Sequence, residues 1–191
     1  MMFLHPSDLS PNDKSFLLKT ARRVLDTIKT GEKFHSPSIN TYENMTRIAA
    51  TFITLEKQNE LRGCIGNLAP VQSVLDDVIE NTLVAATRDP RFSPVVAHEV
   101  DEIIIKISVL SPLKDINMNS EAQLIDGLIP FHDGLVIREG FRKSTFLPSV
   151  WYMVKDSREF VTHLKQKAGF PSAYWSKKIR CQKYFTVEFS E

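Results

Sequence analysis

Two β-rich runs around a short polar segment constrain this chain most. Ile48 to Leu55 is rich in β-branched and apolar side chains, Lys57-Gln58-Asn59-Glu60 is polar, and Leu61 to Ile65 forms a second run ended by Gly66 and Asn67. Strand, turn and returning strand make a β-hairpin, so the sheet that contains them has antiparallel pairs. Ile103 to Leu110 alternates as a central strand closed by Ser111-Pro112. Leu135 to Ile137 and Thr145 to Leu147 pair as a second hairpin through Glu139-Gly140, and Tyr184 to Phe189 alternates as a last strand.

Helices are interspersed among these strands. Ser10 caps the first, Pro11 suits its first turn, and Asp13 favours its positive end. Phe16, Leu17, Ala21, Val24, Leu25 and Ile28 follow at helical spacing, and Gly31 stands where a left-handed stop is wanted. A long polar loop runs from Glu32 to Thr46. Pro70 opens a second helix with Val71, Val74, Leu75, Val78, Ile79, Leu83 and Ala86 on one face, and Asp89-Pro90 and Ser93-Pro94 break the chain after it. Asp156 caps a third helix that stops at Gly169. Residues 113–130 show no readable periodicity. The pattern is that of an α+β fold, a largely antiparallel sheet flanked by helices.

The length of 191 residues suits one domain over 1–191, with room for a large and a small lobe. A net charge of +1 gives no global pull toward nucleic acid or acidic membranes. Cys64 and Cys181 are the only cysteines, which fits a reducing cytoplasm better than a disulfide framework. The first twelve residues lack the marks of a secretory signal, and no apolar run is long enough for a bilayer, so a cytoplasmic protein without a membrane partner is expected.

Arg62-Gly63-Cys64-Ile65-Gly66 is the physical oddity. Glycine in a strand marks a bulge or a close approach of another group to the backbone. A thiol between two glycines has little steric cover. Arg62 alternates with Cys64, which places both on one face of an extended strand, and a nearby guanidinium favours thiolate. The opposing reading is that Cys64 is a small buried hydrophobe. Further along, Arg88-Asp89-Pro90-Arg91-Phe92 offers two cations and a carboxylate at a helix end. If it faces Cys64, Arg88 and Arg91 can hold a carboxylate or phosphate and Asp89 can accept a proton; otherwise Asp89 and an arginine form a structural pair. Glu99 and Ser108 are further polar residues, read by default as surface and strand positions.

A cysteine nucleophile needs a basic partner, commonly histidine. His98 and His132 are within the range of options, though neither spacing shows it. There is no zinc spacing, no phosphate-binding glycine loop, no dinucleotide fingerprint and no cysteine triad for an iron–sulfur cluster, so no metal and no cofactor is expected. Lys155, Arg158, Lys165, Lys167, Lys177, Lys178, Arg180 and Lys183, with Tyr174, Trp175 and Tyr184 among them, make nucleic acid a partner to consider, but a solvated helix face plus core aromatics is the favoured reading.

Leu61-Arg62-Gly63-Cys64-Ile65-Gly66 resembles the hallmark of the AMMECR domain family. Ala85 to Pro94 is similar to the family's second signature. Ile107 to Ser111, Asp133-Gly134-Leu135, Ser144 to Pro148, Val150-Trp151, Lys167-Ala168-Gly169 and Tyr174-Trp175-Ser176 follow in order and resemble its microbial branch, the protein A component of the AmmeMemoRadiSam system. Ser149, Tyr152 and Met153 depart from that pattern. The resemblance implies a two-lobed fold with the cysteine segment near a cleft, and a pathway shared with a Memo-type protein and a radical S-adenosylmethionine enzyme. It implies no particular reaction. Two readings follow. In one, the chain is an enzyme or enzyme component with Cys64 and Asp89 as catalytic residues and Arg62, Gly63, Gly66, Arg88 and Arg91 binding an anionic small-molecule or macromolecular ligand. In the other, it is a non-catalytic protein-interaction or RNA-binding module in which Gly63 and Gly66 shape a groove and Cys64 packs.

Overall fold

The first helix, α1 (Pro11–Thr30), is closed at both ends by local chemistry. In this computed structural model, which describes residues 2–39 and 42–191, Ser10 Oγ accepts from the Asp13 amide at 3.1 Å and Asp13 Oδ2 accepts from the Ser10 amide at 3.0 Å. This reciprocal box satisfies two of the donors a helix start leaves open. At the other end Gly31 is left-handed, with φ 71°, and its amide donates to Thr27 O. Leu17, Ala21, Val24 and Leu25 are buried. The long loop after it contains a short 3-10 turn, Glu43–Thr46; its residues 40 and 41 lie outside the described set.

The hairpin is β1 (Thr51–Lys57) and β2 (Glu60–Gly66). Its turn is tighter than the four polar residues suggest. Lys57 pairs with Glu60, and Gln58 and Asn59 carry φ of 55° and 64°. Two positive φ values in a two-residue loop match the twist of the strands it joins. Then α2 (Val74–Thr87) begins at Ser73, whose hydroxyl accepts from the Asp76 amide at 3.1 Å. Pro70 therefore lies before the helix and does not open it, and Val71 is exposed. A 3-10 turn, Ala97–Glu102, leads into β3 (Ile103–Leu110), as the alternation predicts. Thr51, Ile53 and Leu55 on β1 stand opposite Val109, Ile107 and Ile105 on β3, and all six are buried on the helix side. The other face carries Phe52, Thr54 and Glu56 opposite Ser108, Lys106 and Ile104.

Residues 113–130 hold two short elements, β4 (Lys114–Ile116) and α3 (Glu121–Asp126). The second hairpin is β5 (Gly134–Glu139) and β6 (Arg142–Phe146), turning at Gly140 with φ 58°. After a 3-10 turn, Pro148–Met153, comes α4 (Ser157–Lys167), capped by Asp156, with left-handed Gly169 just beyond. The last alternating run is two strands and not one. It divides at Phe185 into β7 (Arg180–Tyr184) and β8 (Thr186–Ser190), which belong to different sheets. One sheet has the order β2-β1-β3-β8 and the other β4-β7-β5-β6.

The chain accordingly divides into two units, Met1–Ser111 with Val187–Glu191, and Pro112–Thr186. Each has its own apolar core. The first is built on Leu17, Leu25, Ile53, Leu55, Val78 and Ile105, the second on Leu135, Ile137, Phe160, Leu164 and Cys181 around Trp151. Trp151 stacks on Phe160 with ring centres 3.9 Å apart, and its indole N–H donates to Asp133 O at 2.7 Å, so its polar tip is satisfied inside the core. The architecture is α+β with antiparallel pairing in both sheets. Among the described residues no helix is long and apolar enough to cross a membrane.

Candidate functional site

The site is built on β2, an edge strand of the first sheet. Its pairing with β1 carries a bulge. Leu55 faces Gly63 while Glu56 faces Leu61, so Arg62 is the extra residue. A bulge re-aims the side chain it adds. The simple alternation of Arg62 with Cys64 is thereby broken. Arg62 instead grips the segment after α2. Its Nε donates to Glu99 Oε1 at 3.1 Å and its Nη2 to Glu99 Oε2 at 2.9 Å, while Ser93 O and Pro94 O accept at 2.9 and 3.3 Å. The Arg62 guanidinium beside Glu99 holds that carboxyl down at about 2. Two nearly buried charges joined in a fork make this a mechanical clamp that fixes residues 93–99 to β2.

Gly63 is required by α2. A Cβ there would lie 2.4 Å from the Ala85 carbonyl oxygen, so the helix backbone occupies the space of a side chain. Gly66 meets Thr51 O at 2.3 Å in the same sense. Both glycines thus serve close backbone packing.

Between them, Cys64 is partly exposed and unbridged. It faces Thr54 across the hairpin, and Thr54 Oγ1 donates to its Sγ at 3.4 Å. Asp89 and Arg91 close the other side. The Cys64 amide donates to Asp89 Oδ2 at 2.8 Å, and Arg91 Nη2 donates to Cys64 O at 2.9 Å. Arg91 also binds Asp89 through its amide at 3.1 Å, its Nε at 2.9 Å and its Nη2 at 2.7 Å. The Arg91 guanidinium beside Asp89 lowers that carboxyl to about 2, and the Cys64 amide adds to the effect. Arg91 in turn is raised, first by Asp89 and less by Cys64. Asp89 is buried and gives its acceptor capacity to four hydrogen bonds. A carboxylate so committed positions its neighbours, and its low proton affinity keeps it ionised near neutrality.

The structure therefore brings Cys64, Asp89 and Arg91 into one cluster on the first unit, with Gly63 and Gly66 packed under it. Arg62 stands one bulge away with different partners. Arg88 caps α2, is exposed, and makes no ion pair among the described residues. Thr54 is the residue that sequence reading misses, because the bulge shifts the register by one. Of the histidines, His98 is exposed on the turn before β3, and His132 pairs with Asp133 at 2.9 Å in the second unit. No Cys–His pair and no group of metal-ligating side chains occurs among the described residues.

Part of the basic, aromatic-rich stretch of the second unit is committed internally. Lys165 is buried and binds Glu121 at 2.6 Å and the carbonyls of Ser172 and Tyr174. Lys183 pairs with Asp133 at 3.0 Å, Arg180 binds backbone carbonyls, and Tyr184 is buried. Tyr174 donates to Glu139 at 2.9 Å. Lys155, Arg158, Lys177 and Lys178 are exposed.

Comparison with known proteins agrees with the motifs. The AMMECR1 family model matches residues 18–189. Protein MJ0810 of Methanocaldococcus jannaschii is 32% identical over 172 residues, covering 87% of this chain and 84% of that one. A protein of Methanothermobacter thermautotrophicus is 32% identical over 187 residues, covering 96% of each. The crystal structure of the uncharacterized protein PH0010 from Pyrococcus horikoshii superposes with a TM-score of 0.84 at 28% identity, covering 93% of this chain and 91% of that one. A family match over most of the length, a shared fold and the Cys64 segment in place lead to one conclusion: this chain belongs to the AMMECR1 family.

Proposed function

We propose that the chain is an enzyme, or a component of one, whose Cys64 thiol acts as nucleophile or redox group on an anionic substrate. One observation carries this reading. The sulfur stands on a partly exposed edge strand beside a hydroxyl and an arginine, held there by a buried carboxylate, and is not enclosed in hydrocarbon. Structural free cysteines are buried among apolar groups; reactive ones lie in accessible, electropositive surroundings. Arg91 is half exposed, and its Nη1 makes no hydrogen bond among the described residues, so it can donate to a ligand. Arg88, three residues earlier, supplies a second cation from the end of α2. A carboxylate or phosphate is the ligand such a pair suits. The family resemblance supports a pathway shared with a Memo-type protein and a radical S-adenosylmethionine enzyme.

The test is metabolite profiling of a Cys64→Ser strain beside Arg91→Ala and the parent, with affinity capture from each. A specific anionic compound that accumulates in both variants supports the reading and names the substrate. Unchanged metabolites with loss of a captured partner overturn it.

A second reading, a protein-interaction module, has its own support in the second unit. Phe131 is 59% exposed and Tyr152 79% exposed, with ring centres 5.0 Å apart, and Phe131 has φ 62°. A bulky residue held at positive φ is uncommon. The Asp133 carboxylate fixes this turn by accepting from the Ile129 amide at 3.0 Å.

A further inference from the structure

A groove of about 680 Å³ runs along α1 beside the C-terminal end of β8. Leu18 and Phe189, both partly buried against the first core, line it together with Lys14, Lys19, Arg22 and Arg23. These helix positions recur at three- and four-residue intervals and so share one face of α1. The face is cationic, and three of its four cations make no ion pair among the described residues, although Asp26 lies one turn along the helix. Arg22 is the exception, since Glu191 and the carbonyls of Val100 and Ile103 occupy its guanidinium. Lys14, Lys19 and Arg23 make no ion pair among the described residues, and the Arg23 guanidinium lies over the Phe34 ring at 5.8 Å. Glu191, the acidic residue in the lining, is the one that Arg22 neutralises.

The strand beside this face is the last of its sheet. Among the described residues no strand covers the outer side of β8, in the order β2-β1-β3-β8. Edge strands carry unpaired backbone donors and acceptors, and extended peptides add to them. From Pro11 to Arg23 the helix face is about 18 Å long, the span of an extended segment of five to six residues.

We propose that this groove docks an extended acidic segment of a partner protein, laid along the edge of β8 with its carboxylates toward Lys14, Lys19 and Arg23 and an apolar side chain on Leu18 and Phe189. A chain is favoured over a lipid headgroup because the strand edge offers hydrogen bonds at the spacing of a backbone. It is favoured over nucleic acid because the ring in the lining, Phe189, is partly buried. The proposal does not depend on the chemistry of Cys64.

The experiment is selection of a random octapeptide display library on the intact protein, followed by fluorescence anisotropy of the enriched peptide with fluorescein attached. The expected peptides combine Asp or Glu with an apolar residue in alternation. Their binding weakens about tenfold or more in Lys19→Glu/Arg23→Glu, two exposed positions, and falls as NaCl rises from low to high concentration. N-methylation of alternate peptide amides abolishes binding to the unaltered protein, and amide NMR shifts map to residues 14–23 and 187–191. The proposal is overturned if no peptide is enriched, if enriched peptides lack acidic residues, or if they bind the double variant equally well. It is also overturned if phosphatidylserine vesicles or polyuridylate compete more strongly than the peptide. Self-association seen by ultracentrifugation and lost in the double variant overturns it as well.

Discussion

Asp89 does its work by accepting from Cys64 and Arg91 at once, and acid should undo it. The Arg91 guanidinium holds the carboxyl at about 2, below its ordinary value of 3.8. A difference of this size corresponds to about 2 kcal/mol of stability. Because the folded value lies below the unfolded one, that contribution is fully present above about pH 4 and is lost as pH falls toward 2. Urea denaturation of the parent and Asp89→Asn should differ by about 2 kcal/mol at pH 7, with the difference shrinking between pH 4 and 2. A gap that stays constant across that range would mean the carboxylate charge contributes nothing. Gly63 allows a second prediction at this scale. Gly63→Ala puts a methyl against the Ala85 carbonyl, backbone that cannot turn aside, and should cost about 1–3 kcal/mol. Gly31→Ala meets open space and costs only its left-handed φ, about 1 kcal/mol. Denaturation midpoints of the two variants at equal m-value check the order.

At the scale of elements, what is legible in the sequence is what local chemistry decides. The Ser10 box and Gly31 delimit α1, and Asp156 and Gly169 delimit α4, because the residues that stop a helix are its neighbours in sequence. The start of α2 is misread because proline suits both a first turn and the loop before one, whereas the Ser73 hydroxyl makes the cap. The bulge at Arg62 adjoins the close approach of Ala85, more than twenty residues away, to Gly63, and only the glycine hints at it. The division at Phe185 leaves no mark, since alternation continues on both sides although the sheets differ. The same limit applies to the site. Cys64, Asp89 and Arg91 stand out as residue types, but the bond from the Cys64 amide to Asp89 spans 25 positions, so the positioning contact of this carboxylate leaves no local mark. Arg62, read from the sequence as a ligand-binding cation, fastens residues 93–99 to β2 in the structure. Arg62→Ala should therefore lower hydrogen-exchange protection in residues 93–102 while leaving α1 unchanged. Unaltered exchange across 93–102 would show that Glu99 and its turn hold without the guanidinium.

For the whole molecule, the two cores give the cysteines different exposures that one titration can read. Cys64 is partly exposed on the first unit, whereas Cys181 is 2% exposed in the core of the second. Burial pushes the Cys181 thiol up to about 12, so neither access nor ionisation favours its reaction near neutrality. The native protein should take one equivalent of a thiol reagent, at Cys64, and Cys64→Ser should take none. Both tryptophans, Trp151 and Trp175, pack against the same cluster as Cys181. Fluorescence therefore follows that core alone, and pulse alkylation of Cys181 along a urea series should rise at the midpoint of the fluorescence transition. Labelling of Cys181 well before the rings lose their packing would show that β7 opens while Trp151 and Phe160 stay stacked. Coincident midpoints mean instead that strand and aromatic cluster form one cooperative body. In that case any thiol reactivity of the folded chain belongs to Cys64, the background against which its chemistry has to be measured.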